Sequence, residues 1–160
     1  MARQPERLGG RRHPHVEWVV RALVVTALAV EAGLHLHLAE AMQLAAPAGI
    51  GGGTLFRAQA GIALVAGVLL LVTGSRLGYL LAGVAALSAL VPVLLYSFVN
   101  VPALGPIPSL YDPTWYPAKI ATVIAEVVAV VLCVVGFVLA GRRRSVPMAA
   151  DGRRRTGPGG

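Results

Sequence analysis

Four long apolar stretches dominate this chain of 160 residues and constrain its fold more than any other feature. A window of about 20 apolar residues is enough for a helix to cross the hydrocarbon core of a bilayer. The sequence is therefore predicted to form an all-α membrane protein, a bundle of four transmembrane helices. The predicted helices cover residues 18–42, 55–72, 77–99 and 117–140.

Glycine and proline mark the breaks between these stretches. Pro47 and the glycines at 51–53 end the first helix and form a flexible turn. The connection at 74–76 is so short that the second and third helices should form an antiparallel hairpin. Residues 100–116 contain four prolines, so this loop is not expected to be helical throughout. These breaks define the count of four helices.

The composition agrees with an integral membrane protein and excludes an ordinary soluble domain. Hydrophobic residues make up 56% of the chain, charged residues 13%, and the mean hydropathy is +0.72. The single cysteine, Cys133, cannot form an internal disulfide and is expected to be a packing residue. Residues 1–17 and 141–160 are rich in Gly, Pro and Arg, which predicts disordered basic tails.

Basic residues are distributed unevenly about the four helices. Four arginines precede the first helix and six follow the fourth, with Arg76 in the second connection and Arg21 just inside the first helix. Only Arg57 and Lys119 fall on the opposite side. The positive-inside rule therefore predicts a multi-pass plasma-membrane protein with both termini in the cytoplasm. The net charge of +7 thus indicates topology and contact with anionic lipids, rather than nucleic-acid binding.

The start of the chain also has features of a signal peptide. A basic segment precedes the apolar run 19–29, which ends in Ala27-Leu28-Ala29. Cleavage at that point would leave three spans. Apolar character continues to Met42, however, so the segment is long enough to span the membrane, and we expect it to stay as the first helix.

Four ionisable side chains, Glu31, His35, His37 and Glu40, interrupt the first apolar stretch. Such groups are costly at bilayer depth unless they face the protein interior or a wet cavity, so they indicate a functional site. At about 100° per residue, Glu31 and His35 share one face of the helix, whereas His37 and Glu40 share another. One of the two pairs is therefore expected to face a neighbouring chain or the membrane interface.

The fourth helix offers a partner for Glu31. At about 1.5 Å per residue, Glu31 lies about 16 Å below Met42, and Glu126 lies about 14 Å below Pro117. Lys119, Glu126 and Cys133 are spaced by seven residues, so they line one face, which is predicted to look into the bundle. Lys119 itself is expected to pair with a nearby carboxylate of the loop or of its own helix.

Other polar side chains of the helices also fall in the outer half, which predicts a polar cavity open to the outside and sealed below. The proline-rich loop is expected to act as its lid, with Tyr111, Trp115 and Tyr116 as interfacial anchors. The predicted binding or proton site comprises Glu31, His35, His37, Glu40, Arg57, Gln59, Tyr96, Asn100, Lys119 and Glu126.

Glu31, His35 and Glu126 form the predicted metal site, because imidazole and carboxylate suit Zn, Fe or Mn. The same groups are suited to proton relay, since histidine titrates near neutral pH. A static hydrogen-bonded network that specifies helix packing is the alternative. A haem with two histidine ligands is not expected, because both membrane histidines lie on one helix. The cofactor is otherwise unknown at this stage, and a transition-metal ion is the candidate that these residues indicate.

Three classes of function stay open at this stage. The first is a protein that binds or moves a small solute, a metal ion or protons. The second is a non-catalytic accessory or structural subunit of a membrane complex, with another membrane protein or a second copy of the chain as partner. The third is a small metal- or quinone-linked membrane redox enzyme. The sequence has no recognisable nucleophile constellation, phosphate loop or cysteine metal pair, so no reaction is assigned.

Three segments carry a resemblance: His35-Leu-His37-Leu-Ala-Glu40, Gly53-Thr-Leu-Phe-Arg-Ala-Gln-Ala60 and Gly105-Pro-Ile-Pro-Ser-Leu-Tyr-Asp-Pro-Thr-Trp115. Together with Lys119 and Glu126, they resemble uncharacterised four-helix integral membrane proteins of high-GC Gram-positive bacteria. The resemblance covers most of 18–140 and implies the fold, but no activity. The architecture is also similar to that of DoxX-like or quinone-linked four-helix membrane proteins.

Overall fold

The computed structural model describes residues 14–142, which form four long helices. Helix α1 spans Pro14–Ala45, α2 spans Gly52–Thr73, α3 spans Arg76–Phe98 and α4 spans Pro117–Arg142. All four are long and apolar enough to cross a membrane, so the predicted four-helix, all-α membrane fold is confirmed.

Helix α1 begins at Pro14, earlier than the boundary at residue 18 expected from hydropathy. Proline is favoured in the first turn of a helix, because its missing N–H is not needed there and its φ is already helical. The last residues of the segment assigned to the basic N-terminal tail are therefore helical. Residues 141–142, the first two of the predicted C-terminal tail, likewise belong to α4. The rest of the two predicted tails, residues 1–13 and 143–160, lies outside the described residues.

A two-residue turn joins α2 to α3 and fixes them as a hairpin. Gly74 ends α2 in the left-handed conformation, with φ 52° and ψ 23°, and its N–H donates to the carbonyl of Leu70. Ser75 then caps α3, because its hydroxyl accepts a hydrogen bond of 3.0 Å from the N–H of Gly78. Glycine at one cap and serine at the next are the residue types that these positions favour.

The helices pack in the cyclic order α1–α2–α3–α4, while α1 and α3 lie diagonally and make few contacts. Buried alanines of α2, α3 and α4 allow the backbones to approach closely around the larger Val24, Leu28 and Leu70. Large apolar side chains on the outward faces, such as Val65 and Val134, are exposed. An apolar exterior of this kind suits contact with lipid.

The connection between α3 and α4, residues 99–116, covers one end of the bundle. The N–H of Ile50 donates to the carbonyl of Pro106 at 2.9 Å, and the N–H of Asp112 donates to the carbonyl of Tyr96 at 3.1 Å. The loop is thereby attached both to the α1–α2 turn and to the end of α3. We call this the loop end of the bundle, and the end that carries residues 74–75 the turn end.

Close packing of α1 on α2 leads to a stability prediction at Gly53. A Cβ added there would meet the carbonyl oxygen of Ala39 and the side chain of Gln43. We expect Gly53→Ala to lower the free energy of unfolding by about 1–3 kcal/mol, which is typical of overpacking. Thermal unfolding of the purified protein in mild detergent measures the change.

Gly61→Ala is the matched control, because Gly61 lies in the same helix and a Cβ there would meet nothing within 4 Å. In the helix interior, alanine is favoured over glycine by up to about 1 kcal/mol, so this variant should be neutral or more stable. Equal destabilisation by the two substitutions would contradict the close approach of α1 and α2 at Gly53.

Candidate metal centre

Three buried ionisable side chains meet in the bundle at the α1–α4 contact. Glu31 and His35 come from one face of α1, and Glu126 comes from α4. Both glutamates have an exposed fraction of 0%, and that of His35 is 6%. Each residue offers one nitrogen or oxygen atom that lies within 4.8 Å of the other two. The two helices therefore bring together the three residues that the sequence predicts as metal ligands.

The imidazole of His35 is oriented by its own helix. Its Nδ1 lies 3.0 Å from the carbonyl oxygen of Glu31. Because a carbonyl oxygen can only accept, Nδ1 carries a proton, and in the neutral imidazole Nε2 therefore keeps its lone pair. Nε2 faces Oε1 of Glu126 at 4.0 Å, which is too long for a direct hydrogen bond. A histidine fixed through Nδ1 with a free Nε2 is the usual arrangement of a metal ligand.

Gln59 of α2 links the cluster to the third helix. Its amide nitrogen donates to Oε1 of Glu31 at 3.0 Å and to the carbonyl of Ala85 at 2.9 Å. Its amide oxygen accepts a hydrogen bond of 3.1 Å from the hydroxyl of Ser88. Residues of all four helices thus contribute to one polar network, and Gln59 fixes the position of the Glu31 carboxylate.

Three carboxylate oxygens of this cluster have no hydrogen-bond partner within residues 14–142. They are Oε2 of Glu31 and both oxygens of Glu126, and all three are buried. An unsatisfied buried polar atom costs about 1–3 kcal/mol, and more when it is charged. Two adjacent carboxylates also repel strongly in a low dielectric, so the cluster needs bound protons or a cation. The donor types suit a transition-metal ion.

Comparisons with models of protein families, with curated proteins and with solved structures find no match for this chain. The predicted relationship to four-helix membrane proteins of high-GC Gram-positive bacteria stays a prediction.

A cavity of about 300 Å³ extends from the cluster toward the loop end. His35 and Glu126 lie in its wall, together with the predicted site residues Gln59, Tyr96 and Lys119. Ile107, Leu110, Asp112 and Tyr116 of the loop segment also line it. The cluster is thus connected to a cavity at the loop end. The prediction of a polar cavity was wrong, because apolar side chains of the helices and the loop supply most of the lining surface between the polar groups.

Lys119 attaches the loop to α4 beside this cavity. Its exposed fraction is 5%, and its Nζ lies 3.6 Å from Oδ2 of Asp112. Nζ also donates to the backbone carbonyls of Asp112 and Thr114. The ring of Trp115 lies 5.2 Å from the ammonium. The loop is therefore held by one buried cation, and the expected pairing of Lys119 with a carboxylate is met by Asp112.

Four other predicted site residues do not take part in the cluster or the cavity. His37, Glu40, Arg57 and Asn100 are all exposed on the bundle surface. His37 and Glu40 lie on the face of α1 opposite to the cluster, as their helical phase predicts. Arg57 lies two residues before Gln59, which turns it away from the network.

Several residues of the site were not identified from the sequence. Thr122 lies one turn before Glu126 on the face of Lys119, so the helical spacing contains a signal for it. Phe56, whose ring centroid is 5.0 Å from that of His35, lies one turn before Gln59 and has a similar signal, whereas Ser88 has none. Its place follows from how α2 and α3 pack, which one sequence does not show.

Proposed function

We propose that this multi-pass membrane protein belongs to the plasma membrane and binds a divalent transition-metal ion at Glu31, His35 and Glu126. The observation that carries the proposal is that these three residues place three ligand atoms within 4.8 Å of one another. In addition, buried carboxylate oxygens of the two glutamates accept no hydrogen bond from any group within residues 14–142. Three protein ligands leave a coordination position open for a further ligand. The proposal therefore describes a binding site that can also exchange or present its ion.

Charge supports a divalent ion in particular. Two carboxylates carry two negative charges, and a divalent cation between them makes the buried cluster neutral. Burial of a charged group is costly unless the charge is compensated at close range. Gln59 supports the same arrangement, since it fixes one oxygen of Glu31 and leaves the other free to bind the ion.

The proposed orientation puts the loop end outside and both termini in the cytoplasm. Arg76 lies at the turn end, 4.2 Å above the ring of Phe137, and Arg21 lies close to Gly74 at that same end. The arginines of the two tails continue this asymmetry in sequence. Following the positive-inside rule, the turn end faces the cytoplasm, where the tails contact anionic lipids.

Metal analysis of the full chain, purified in mild detergent with any affinity tag removed, tests the proposal. Titration with Zn²⁺, Mn²⁺ and Co²⁺ is expected to give one bound ion per chain. His35→Ala and Glu126→Gln should each lower the affinity for that ion by about a hundredfold, because the first removes one of only three protein ligands and the second replaces a charged carboxylate ligand with a neutral amide.

His37→Ala is the matched control, since it removes an exposed imidazole two residues along the same helix. This variant should bind the ion like the native chain. Failure of the folded native protein to bind any of the three ions would overturn the proposal and favour a packing network or a proton site. So would equal loss of binding in His37→Ala.

A further inference from the structure

The open side of the proposed metal site faces the cavity. His35 and Glu126 are both cavity-lining residues, whereas Glu31 does not line the cavity and is held in place by Gln59. A ligand in the cavity would therefore reach the ion without displacing Glu31. The coordination position left by the three side chains is the natural contact point for such a ligand.

The cavity walls are largely apolar. Most of the lining surface is apolar, and the residues that contribute to it include Leu38, Leu55, Phe56, Pro92, Val93 and Ile107. A hydrated ion passing through would be expected to meet polar groups in place of its water shell. Apolar walls with a few convergent polar groups are instead typical of sites for organic molecules.

The volume limits the size of the ligand. An apolar cavity of about 150 Å³ accommodates one benzene ring. The cavity here, at about 300 Å³, has room for about two such rings.

The charges around the cavity favour an uncharged ligand. The complex of a divalent ion with the Glu31 and Glu126 carboxylates has no net charge. The charge of Lys119 is paired with that of Asp112, whose Oδ2 lies 3.6 Å from Nζ. Among the described residues that line the cavity, no cation is left to balance an anionic ligand. An uncharged ligand that coordinates the ion through a lone pair avoids the free-energy penalty of burying an unpaired charge.

We infer that the cavity binds a neutral, largely apolar organic molecule of about two rings, whose oxygen or nitrogen lone pair occupies the open coordination position of the ion. This inference rests on the proposed metal site and names the class of ligand that the site takes.

The probe for this inference is 4-phenylimidazole, a neutral two-ring compound with one available nitrogen lone pair. Its matched control is 3-phenylpyrrole, which has the same shape and lacks that lone pair. Binding of each to the Co²⁺-loaded protein is followed by calorimetry and by the visible spectrum of the cobalt. We expect 4-phenylimidazole to bind at least tenfold more tightly than 3-phenylpyrrole and to change the cobalt spectrum. Both compounds partition into detergent, so the difference between their affinities reports coordination at the site and not partitioning.

A cavity-filling variant separates this ligand site from the metal site. Ala89 lines the cavity and is buried, so Ala89→Phe should fill much of the space. The variant is expected to keep its cobalt and to lose at least tenfold in affinity for 4-phenylimidazole. Val93→Phe, at a half-buried lining position, tests the same point if Ala89→Phe does not fold.

The outcomes distinguish the two proposals. Cobalt binding without a preference for 4-phenylimidazole would overturn the ligand inference and leave the metal site intact. The same conclusion would follow if the folded cavity-filling variants bound the probe normally. Absence of cobalt binding in the native protein would overturn both.

Discussion

Replacing Glu126 with leucine is expected to stabilise the metal-free protein while abolishing metal binding. Glu126 is fully buried, and neither of its carboxylate oxygens has a hydrogen-bond partner in the described part of the chain. Replacing buried ionic groups with apolar residues of similar volume is often neutral or stabilising by about 1–4 kcal/mol. Leucine also removes the repulsion between Glu126 and Glu31. The native residue would then be retained for binding at the expense of stability.

Thermal unfolding in detergent, with a chelator and then with added metal, measures both effects. With metal at 100 times its Kd, the native chain should gain about 2.7 kcal/mol over its chelated state. Glu126→Leu should start from a higher melting temperature and gain nothing. Glu40→Leu, which removes an exposed carboxylate from α1, should keep the metal response. Destabilisation of the metal-free Glu126→Leu protein would contradict this account and indicate that the carboxylate is a packing element.

Lys119→Met is expected to release the loop from the end of the bundle. The substitution keeps an apolar stem and removes the ammonium that donates to Asp112 and Thr114. Hydrogen bonds to charged groups contribute about 1.5–3 kcal/mol. Since every 1.4 kcal/mol is tenfold, local opening of the loop should become about tenfold to a hundredfold more frequent.

Amide hydrogen exchange of residues 109–116 measures this opening directly. Exchange there should accelerate, while exchange in the centre of α2 should not change. Arg57→Met removes an exposed cation near the same end and should leave the loop protected. Unchanged exchange in Lys119→Met would mean that the backbone bonds from Ile50 and Asp112 are sufficient to hold the loop.

Most of the fold could be predicted from the sequence, because its main determinant is local to each segment of the chain. Length and hydropathy define a membrane-spanning helix, and glycine or proline ends each one, as at Gly74. The start of α1 was placed too late, because a first turn with His15 and Glu17 has the same polarity as a tail. Hydropathy cannot distinguish a polar helical turn from a polar coil.

For the site, the sequence could predict only what depth in the membrane and helical phase determine. Depth puts Glu31 and Glu126 at one level, and helical phase puts His35 beside Glu31 and turns Glu126 into the bundle. The structure brings these three residues together. Depth and phase could not indicate that Gln59 would reach the carbonyl of Ala85, since that bond depends on how closely α2 and α3 pack. Backbone carbonyls carry no signature in the sequence.

The polar network has a consequence for how the protein is made. Its members come from all four helices, and the two glutamates belong to the first and the last. A chain inserted into the membrane from its N-terminus would hold Glu31 and His35 before Glu126 has been synthesised. The proposed ion site can therefore be complete only when the fourth helix joins the bundle. Metal uptake would then mark the completion of membrane insertion.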